Sequence, residues 1–389
     1  METIPYGRQS INEADISAVV DVLRSDFLTQ GPAVPAFEQA VSSYCGASHA
    51  VAVNNATSAL HIACLALGVG KGDIVWTTAI TFVASANCAL YCNATIDFVD
   101  IDPRTYNLSV EKLAEKLAEA KTIGKLPKLV IPVHFCGQPC DMAAIHSLSE
   151  SYGFKIIEDA SHAIGGKYKN EPIGNCAYSD ITVFSFHPVK IITTGEGGVA
   201  LTNNASVAKR LRQLRSHGIT GVPEDMVPRP AHEIWNYQQI GLGFNYRMTD
   251  LQAALGLSQM SRLDQFVNRR RSLAERYDQL LEPIGVIKPW QHSDSFSSFH
   301  LYVIRLKLSE IKKNQREVYD EMHLRGVLVN LHYIPVYRQP YFEVLGFQGG
   351  YCPKAETYFS EAISLPIFPE LTEAQQDTVV STLRVAMNA

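Results

Sequence analysis

The chain has little of what would tie it to a membrane, a nucleic acid or a structural metal. Its 389 residues carry 34 Lys and Arg against 39 Asp and Glu, a formal net charge of −5. No basic field is therefore available to attract a polyanion, and nucleic acid is not expected as a partner. The longest apolar runs, such as SALHIACLALGVG, are too short and too punctuated to span a bilayer. The opening stretch METIPYGRQSINEADI has no basic region followed by an apolar core, so no secretory leader is expected and the cytoplasm is the expected location. Neither GxGxxG nor the P-loop pattern occurs, which leaves dinucleotide and P-loop binding without support. The eight cysteines stand at 45, 64, 88, 92, 136, 140, 176 and 352. Cys88/Cys92 and Cys136/Cys140 are closely spaced, but neither has a second pair at zinc-site distance. Reduced thiols serving mostly as core filler are expected, with no metal site.

What is present is an ordinary globular composition, 46% hydrophobic and 19% charged, with ample material for a large core. From about residue 47 to 202, short apolar runs alternate with amphipathic stretches. The expected strands are HAVAVN (49–54), DIVWTT (73–78), ATIDFVD (94–100), KLVIPVHF (128–135), FKIIED (154–159), DITVFSF (180–186) and GGVALTN (197–203). Helical patterns such as TSALHIACLAL and SVEKLAEKLAEA separate the earlier ones. This repetition predicts an α/β fold, a large and mostly parallel seven-stranded sheet flanked by helices. The segment GITGVPEDMVPRPAHEIWNYQQ, rich in proline and polar residues, reads as a long excursion. One long helical pattern follows, from MTDLQAAL to RYDQLL. The remainder, with strands FHLYVIRLKL and VLVNLHYIP among helices, predicts a smaller C-terminal α+β domain. The expected division is 1–245, including an N-terminal arm 1–30, and 246–389.

Three strand ends hold reactive side chains. FSFHPVKIITTGEGG places Lys190 between apolar arms, just after a strand and just before a glycine cluster. A lysine there either snorkels to water or is held out of it as a nucleophile. KIIEDASHAIG puts Asp159 at a strand tip with His162 close behind; such an aspartate is often only a cap. VAVNNATSALH passes from strand to helix through Asn55, Ala56, Thr57 and Ser58, where free helix amides suit a phosphate. Pyridoxal 5'-phosphate needs a lysine to carry it, a carboxylate against its pyridine nitrogen, a phosphate cup and often an aromatic platform. These pieces fit that one cofactor.

The ordered set PYGRQSINEADISAVVDVL, SDFLTQGP, NNATSAL, AITFVASAN, EDASHAIGG, FSFHPVKIITTGEGG, LRSHG, GFNYRMTDLQAALGLSQ and RGVLVNLHYIPVY resembles the DegT/StrS-type sugar-nucleotide aminotransferases of pyridoxal-phosphate fold type I. The likeness is strongest to the branch that aminates C4 of a UDP-linked 4-keto-6-deoxy-N-acetylhexosamine in pseudaminic acid synthesis. It implies catalytic roles for Lys190, the Schiff-base lysine, and Asp159, the partner of the pyridine nitrogen. It implies Phe82 stacked on the ring, a phosphate cup of Ala56, Thr57 and Ser185, and Asn245 reaching the phosphate of the neighbouring subunit in a homodimer. His162 stands where the family often has glutamine, and either residue can donate to the cofactor's hydroxyl face. For the sugar nucleotide the resemblance points to Tyr6, to Asp26, Phe27, Leu28 and Thr29, and to His332, Tyr333, Ile334 and Pro335. Ile334 replaces a cation of close relatives, so the diphosphate would need another basic partner such as Arg325 or Arg247. Glutamate would be the amino donor and 2-oxoglutarate its product. The alternatives are an aminotransferase for another UDP- or dTDP-keto sugar, a dehydratase on the same fold, and a non-catalytic ligand-sensing regulator. A dehydratase carries histidine in place of the lysine, and Lys190 is present. A regulator would not need Lys190 and Asp159, and no helix-turn-helix is appended.

Overall fold

The computed structural model describes residues 3–230 and 232–388. The strands β1 (His49–Val53), β2 (Ile74–Thr78), β3 (Thr95–Val99), β4 (Leu129–Ile131), β5 (Lys155–Asp159), β6 (Ile181–Ser185) and β7 (Gly198–Thr202) form one seven-stranded sheet in the order β1-β7-β6-β5-β4-β2-β3. Six strands point the same way, and β7 runs against both of its neighbours. Every residue of β6 and β7 is buried. Helices cover both faces of the sheet, so its central strands read as unbroken apolar runs rather than as alternations. The α/β architecture expected from the sequence is the one observed.

Three boundaries differ from the sequence reading. The run 128–135 is regular strand only through Leu129–Ile131; Pro132 cannot donate to a ladder, and beyond it the pairing is reduced to the single bridge of Val133 with Asp159. The long helical pattern breaks into Asp250–Met260 and Leu263–Leu280 at Ser261, whose hydroxyl takes the Ser258 carbonyl at 2.6 Å. A serine that competes for a helical carbonyl favours such an end. In VLVNLHYIP only Val327–Leu328 is a strand, and His332 to Pro335 follow an irregular path. The 218–239 excursion is pinned at its stem, where Ile219–Thr220 pairs with Gln238–Gln239, and exposes Ile234 and Leu242 beyond it.

A second core gathers the antiparallel strands Tyr302–Arg305 and Ala362–Leu365 with the helices Gln315–Leu324 and Glu373–Asn388. The chain's beginning joins it in a separate two-stranded sheet: Ile4–Pro5 runs parallel to Val327–Leu328, and Ile4 is buried in that core. The N-terminal arm therefore crosses from one core to the other and carries Tyr6 past the carboxyl edge of the large sheet. Among the described residues no helix is long and apolar enough to cross a membrane.

Gly198 opens β7 opposite Ser185 and Val53. A Cβ built on it would lie 2.6 Å from both the Ala56 nitrogen and the Asn55 carbonyl carbon. The start of the helix Ala56–Ala66 thus rests directly on this glycine. Gly198→Ala must displace backbone, which should destabilise the protein by about 1–3 kcal/mol. Chemical denaturation should show this as a lowered midpoint with an unchanged slope.

Candidate active site

The carboxyl edge of the parallel strands opens into a cavity of about 820 Å³. Strand direction explains its contents, because the residues following β1, β2, β5 and β6 all emerge at that edge. After β1, Asn55 caps the helix Ala56–Ala66, its side chain accepting the Ser58 N–H at 2.8 Å. First-turn amides have no intrahelical acceptor, so those of Ala56 and Thr57 are left for the cavity. Losing such a cap costs about 1 kcal/mol. Ser185 ends β6 on the same side and lines the same wall. After β2 comes Phe82, 57% exposed although the structure around it is buried, its ring presented to the cavity.

Asp159 closes β5 and is 5% exposed. Its two oxygens are engaged separately. Ser85 donates to Oδ2 at 2.6 Å, while the Ser161 hydroxyl and N–H donate to Oδ1 at 2.6 and 3.1 Å. Ser85 spends its proton on the carboxylate, so Thr81, 2.7 Å away, must be the donor to Ser85. This chain of hydroxyls fixes the carboxylate without a cation.

Lys190 sits beyond β6 in a tight turn rather than on a strand, its N–H donating to the His187 carbonyl at 2.9 Å. The residue as a whole is half-buried, and it lines the cavity. Among the described residues no ion pair or side-chain hydrogen bond holds that amine. Burial pushes its pKa down to about 8, against an upward pull from Asp159. A sizeable fraction is thus neutral near physiological pH, the form able to attack a carbonyl.

The far wall is histidine-rich. His162 is buried with Nδ1 unpartnered, and its Nε2 lies 3.4 Å from the Tyr333 hydroxyl. Burial first, then Lys190 and His332, hold His162 well below the usual imidazole range. His332 is pushed down to about 3 by burial and by Lys190, and its Nδ1 meets Ser364 Oγ at 2.8 Å. Tyr333 approaches Phe82 with ring centroids 6.2 Å apart.

The cavity brings together Tyr6, Ala56, Thr57, Phe82, Asp159, His162, Ser185, Lys190, His332 and Tyr333. It does not include Asp26, Phe27, Leu28, Thr29, Asn245, Ile334 or Pro335 within this one chain. Phe27 and Leu28 are exposed, and Asn245 is exposed on the strip where Tyr246 turns inward. The 26–31 loop is tied to the start of Asp250–Met260, whose Asp250 accepts the Gly31 and Ala33 N–H groups at 3.0 Å each. Thr29 pairs there with Thr249. Sequence reasoning missed Ser85, Ser161, His61, Glu196 and Asn330. Glycine-rich TTGEGG was a signal for Glu196; nothing in the local pattern marks the serines.

A lysine and a carboxylate facing one cavity, beside a capped helix N-terminus at the edge of a parallel sheet, define the class: a fold-type I aminotransferase. Residues 9–384 match the model of the DegT/DnrJ/EryC1/StrS aminotransferase family, and the chain belongs to that family. It is 35% identical over 382 residues to the UDP-4-amino-4,6-dideoxy-N-acetyl-beta-L-altrosamine transaminase of Campylobacter jejuni, covering 98% of this chain and 96% of that one. Among solved structures it is similar to Helicobacter pylori PseC, an aminotransferase involved in the biosynthesis of pseudoaminic acid, with a TM-score of 0.89 at 28% identity over 99% of each chain. The PLP-form of the putative sugar aminotransferase Spr1654 from Streptococcus pneumoniae matches with a TM-score of 0.87 at 29% identity, over 99% of this chain and 98% of that one. The protein is a sugar-nucleotide aminotransferase.

Charge on Lys190 can be read directly. The rate at which the cofactor-free protein reacts with an aldehyde probe should rise through a midpoint near pH 8, and the reaction should be lost in Lys190→Ala. Asp159 favours the charged amine, so Asp159→Asn should move that midpoint to lower pH. A shift to higher pH would contradict the arrangement.

Proposed function

We propose that this chain transfers an amino group from glutamate to C4 of a UDP-linked 4-keto-6-deoxy-N-acetylhexosamine, in pseudaminic acid synthesis, with pyridoxal 5'-phosphate as cofactor. The observation that carries the reading is the half-buried Lys190, whose amine no ion pair or side-chain hydrogen bond holds among the described residues, in a cavity that also contains Asp159. The names of the Campylobacter and Helicobacter relatives support the choice of sugar.

The side chains present suit the cofactor. The exposed face of Phe82 and the free amides at Ala56 and Thr57 are unsatisfied within the protein and suit a ring face and a phosphate. His162, which lines the same cavity, would meet a hydroxyl through the ring edge it presents there. Lys190 would hold the group covalently, Asp159 would meet its pyridine nitrogen, and Ser185 would join the phosphate cup. When bound, the cofactor supplies an electron sink that stabilises negative charge at the amino-bearing carbon.

The protein's own residues supply the rest. Lys190, once free, would take a proton from the donor's α-carbon and deliver it to the cofactor carbon that had been bonded to the lysine nitrogen, which requires an amine that is neutral near working pH. Asp159, fixed by Ser85 and Ser161, keeps a proton on the pyridine nitrogen. At about 4 Å and an effective dielectric near 20 such a pair is worth roughly 4 kcal/mol before desolvation. Tyr6, His332 and Tyr333 border the space left for the sugar. Asn245, exposed and turned away from this cavity, is assigned to the cavity of a second copy. The enzyme is then a homodimer in which each site draws on both subunits, with no membrane or nucleic-acid partner.

The test is an absorbance spectrum of purified protein before and after borohydride. Wild type should gain a band that becomes covalently fixed, and Lys190→Ala should never fix it. Supplying glutamate with the UDP-4-keto sugar should yield 2-oxoglutarate and the amino sugar. Asp159→Asn should retain the cofactor and lose about 10²-fold or more in turnover. Protein that stays colourless with added pyridoxal phosphate, or that aminates only a dTDP-linked sugar, would sink the respective half of the reading.

A further inference from the structure

His300 is a buried histidine of the C-terminal half with no role in the chemistry described so far. It is 4% exposed, and its Nδ1 has no partner. Its ring lies behind His162, centroids 4.3 Å apart and planes inclined by 50°. Two adjacent buried imidazoles, each with an unpartnered ring nitrogen, are an expensive arrangement to hold in a core. The surroundings show that the contact is built. Gly137, at φ +97°, leaves no room for a side chain, since its Cβ would come within 2.6 Å of Ser298 Oγ, 2.9 Å of the Phe299 nitrogen and 3.0 Å of the His162 carbonyl oxygen. Ser298 Oγ donates to that same His162 oxygen at 2.9 Å. Behind His300, the wholly buried Arg270 guanidinium donates to the carbonyls of Phe299, His300 and Ile367 at 3.3, 3.2 and 3.0 Å. The segment 297–300 is thereby pressed against the turn that carries His162.

We propose that His300 is a positioning residue: packed behind His162, it fixes which ring edge and which nitrogen His162 turns toward the cofactor's hydroxyl. This rests on the reading above that His162 meets that hydroxyl. A neutral imidazole has one donor and one acceptor nitrogen, and the ring behind it determines which assignment costs less. The charged and titratable groups around the pair are Lys190, His332 and Tyr333 on the His162 side and Arg270 behind His300. Burial first, then Lys190 and His332, disfavour a charge on either ring, with Arg270 adding to this at His300, so the choice left to the packing is between the neutral tautomers.

The test is a double-mutant cycle on the cofactor-loaded enzyme, with His300→Phe, His162→Gln and the pair, and with His300→Gln as a second probe should the phenylalanine variant fail to fold. Two readouts are taken: the pH titration of the bound cofactor's visible absorbance, and kcat separated from KM for the keto sugar. His300→Phe should shift the absorbance midpoint and lower kcat by roughly ten- to hundredfold with KM unchanged. The same change made in the His162→Gln background should do nothing further. A His300 variant that folds and overlays wild type in both readouts overturns the proposal, as do effects that simply add to those of His162→Gln. If His162→Gln alone leaves the absorbance titration untouched, the contact between His162 and the cofactor fails instead, and the proposal falls with it.

Discussion

The structure is organised around a half-buried lysine whose amine, among the described residues, no ion pair holds. Pairing Lys190 with a carboxylate would satisfy its charge and end its usefulness, since a paired ammonium is a poor nucleophile. The one nearby acid suited to the task, Asp159, is taken up on both oxygens by Ser85 and Ser161. That leaves the amine in a cavity where burial lowers its proton affinity more than Asp159 restores it. A protein pays for such an arrangement in stability, and functional sites are where that expense is found. The serine hydroxyls occupy both carboxylate oxygens, so the buried Asp159 is satisfied without the lysine.

The fold delivers these groups by strand direction. Six strands present their carboxyl ends at one edge, and the single reversed strand starts there with Gly198, so the helix carrying Ala56 and Thr57 can settle onto bare backbone. The other wall comes from elsewhere in the chain. His332, Tyr333 and Asn330 follow the strand Val327–Leu328, and that strand is tied to Ile4–Pro5 just before Tyr6. Residues remote in sequence therefore border one cavity through a two-residue parallel pairing. A shift of the C-terminal core against the sheet would move Tyr6 and His332 together while leaving Lys190 and Asp159 in place.

Much of this was legible in the sequence for physical reasons. Strands buried on both faces are continuous apolar runs, and all seven could be read. Their common edge could be read too, because Asp159, Lys190 and Thr57 each follow a run. The reversal of β7 could not, since direction depends on how the TTGEGG turn folds rather than on composition. Ser85 and Ser161 look like any helix or turn serine until the chain brings them to Asp159. His300 reads as the second residue of the apolar run FHLYVIRLKL, and its contact with His162 exists only once Gly137 permits the approach. The break at Ser261 and the exit at Pro132 are local features that a periodic reading smooths over.

Charge accounting takes the proposed reaction one step further. Among the described residues lining the cavity, Lys190 is the single lysine or arginine, against the acids Asp159 and Glu196. The proposed occupants bring a cofactor phosphate and a nucleotide diphosphate, and Lys190 is itself committed to the cofactor. Helix amides at Ala56 and Thr57 can serve one phosphate, but a diphosphate in a cavity with no arginine would meet a lining whose formal charge is no better than negative. The missing cations must come from outside the lining. Asn245 and Arg247 flank the inward-turned Tyr246 on the strip where Arg247 pairs with Val53, and alternation along an extended strand turns them opposite to Tyr246. A second copy presenting that strip to this cavity would supply both an amide and a guanidinium, so the charge of the lining supports the proposed homodimer independently of the family resemblance.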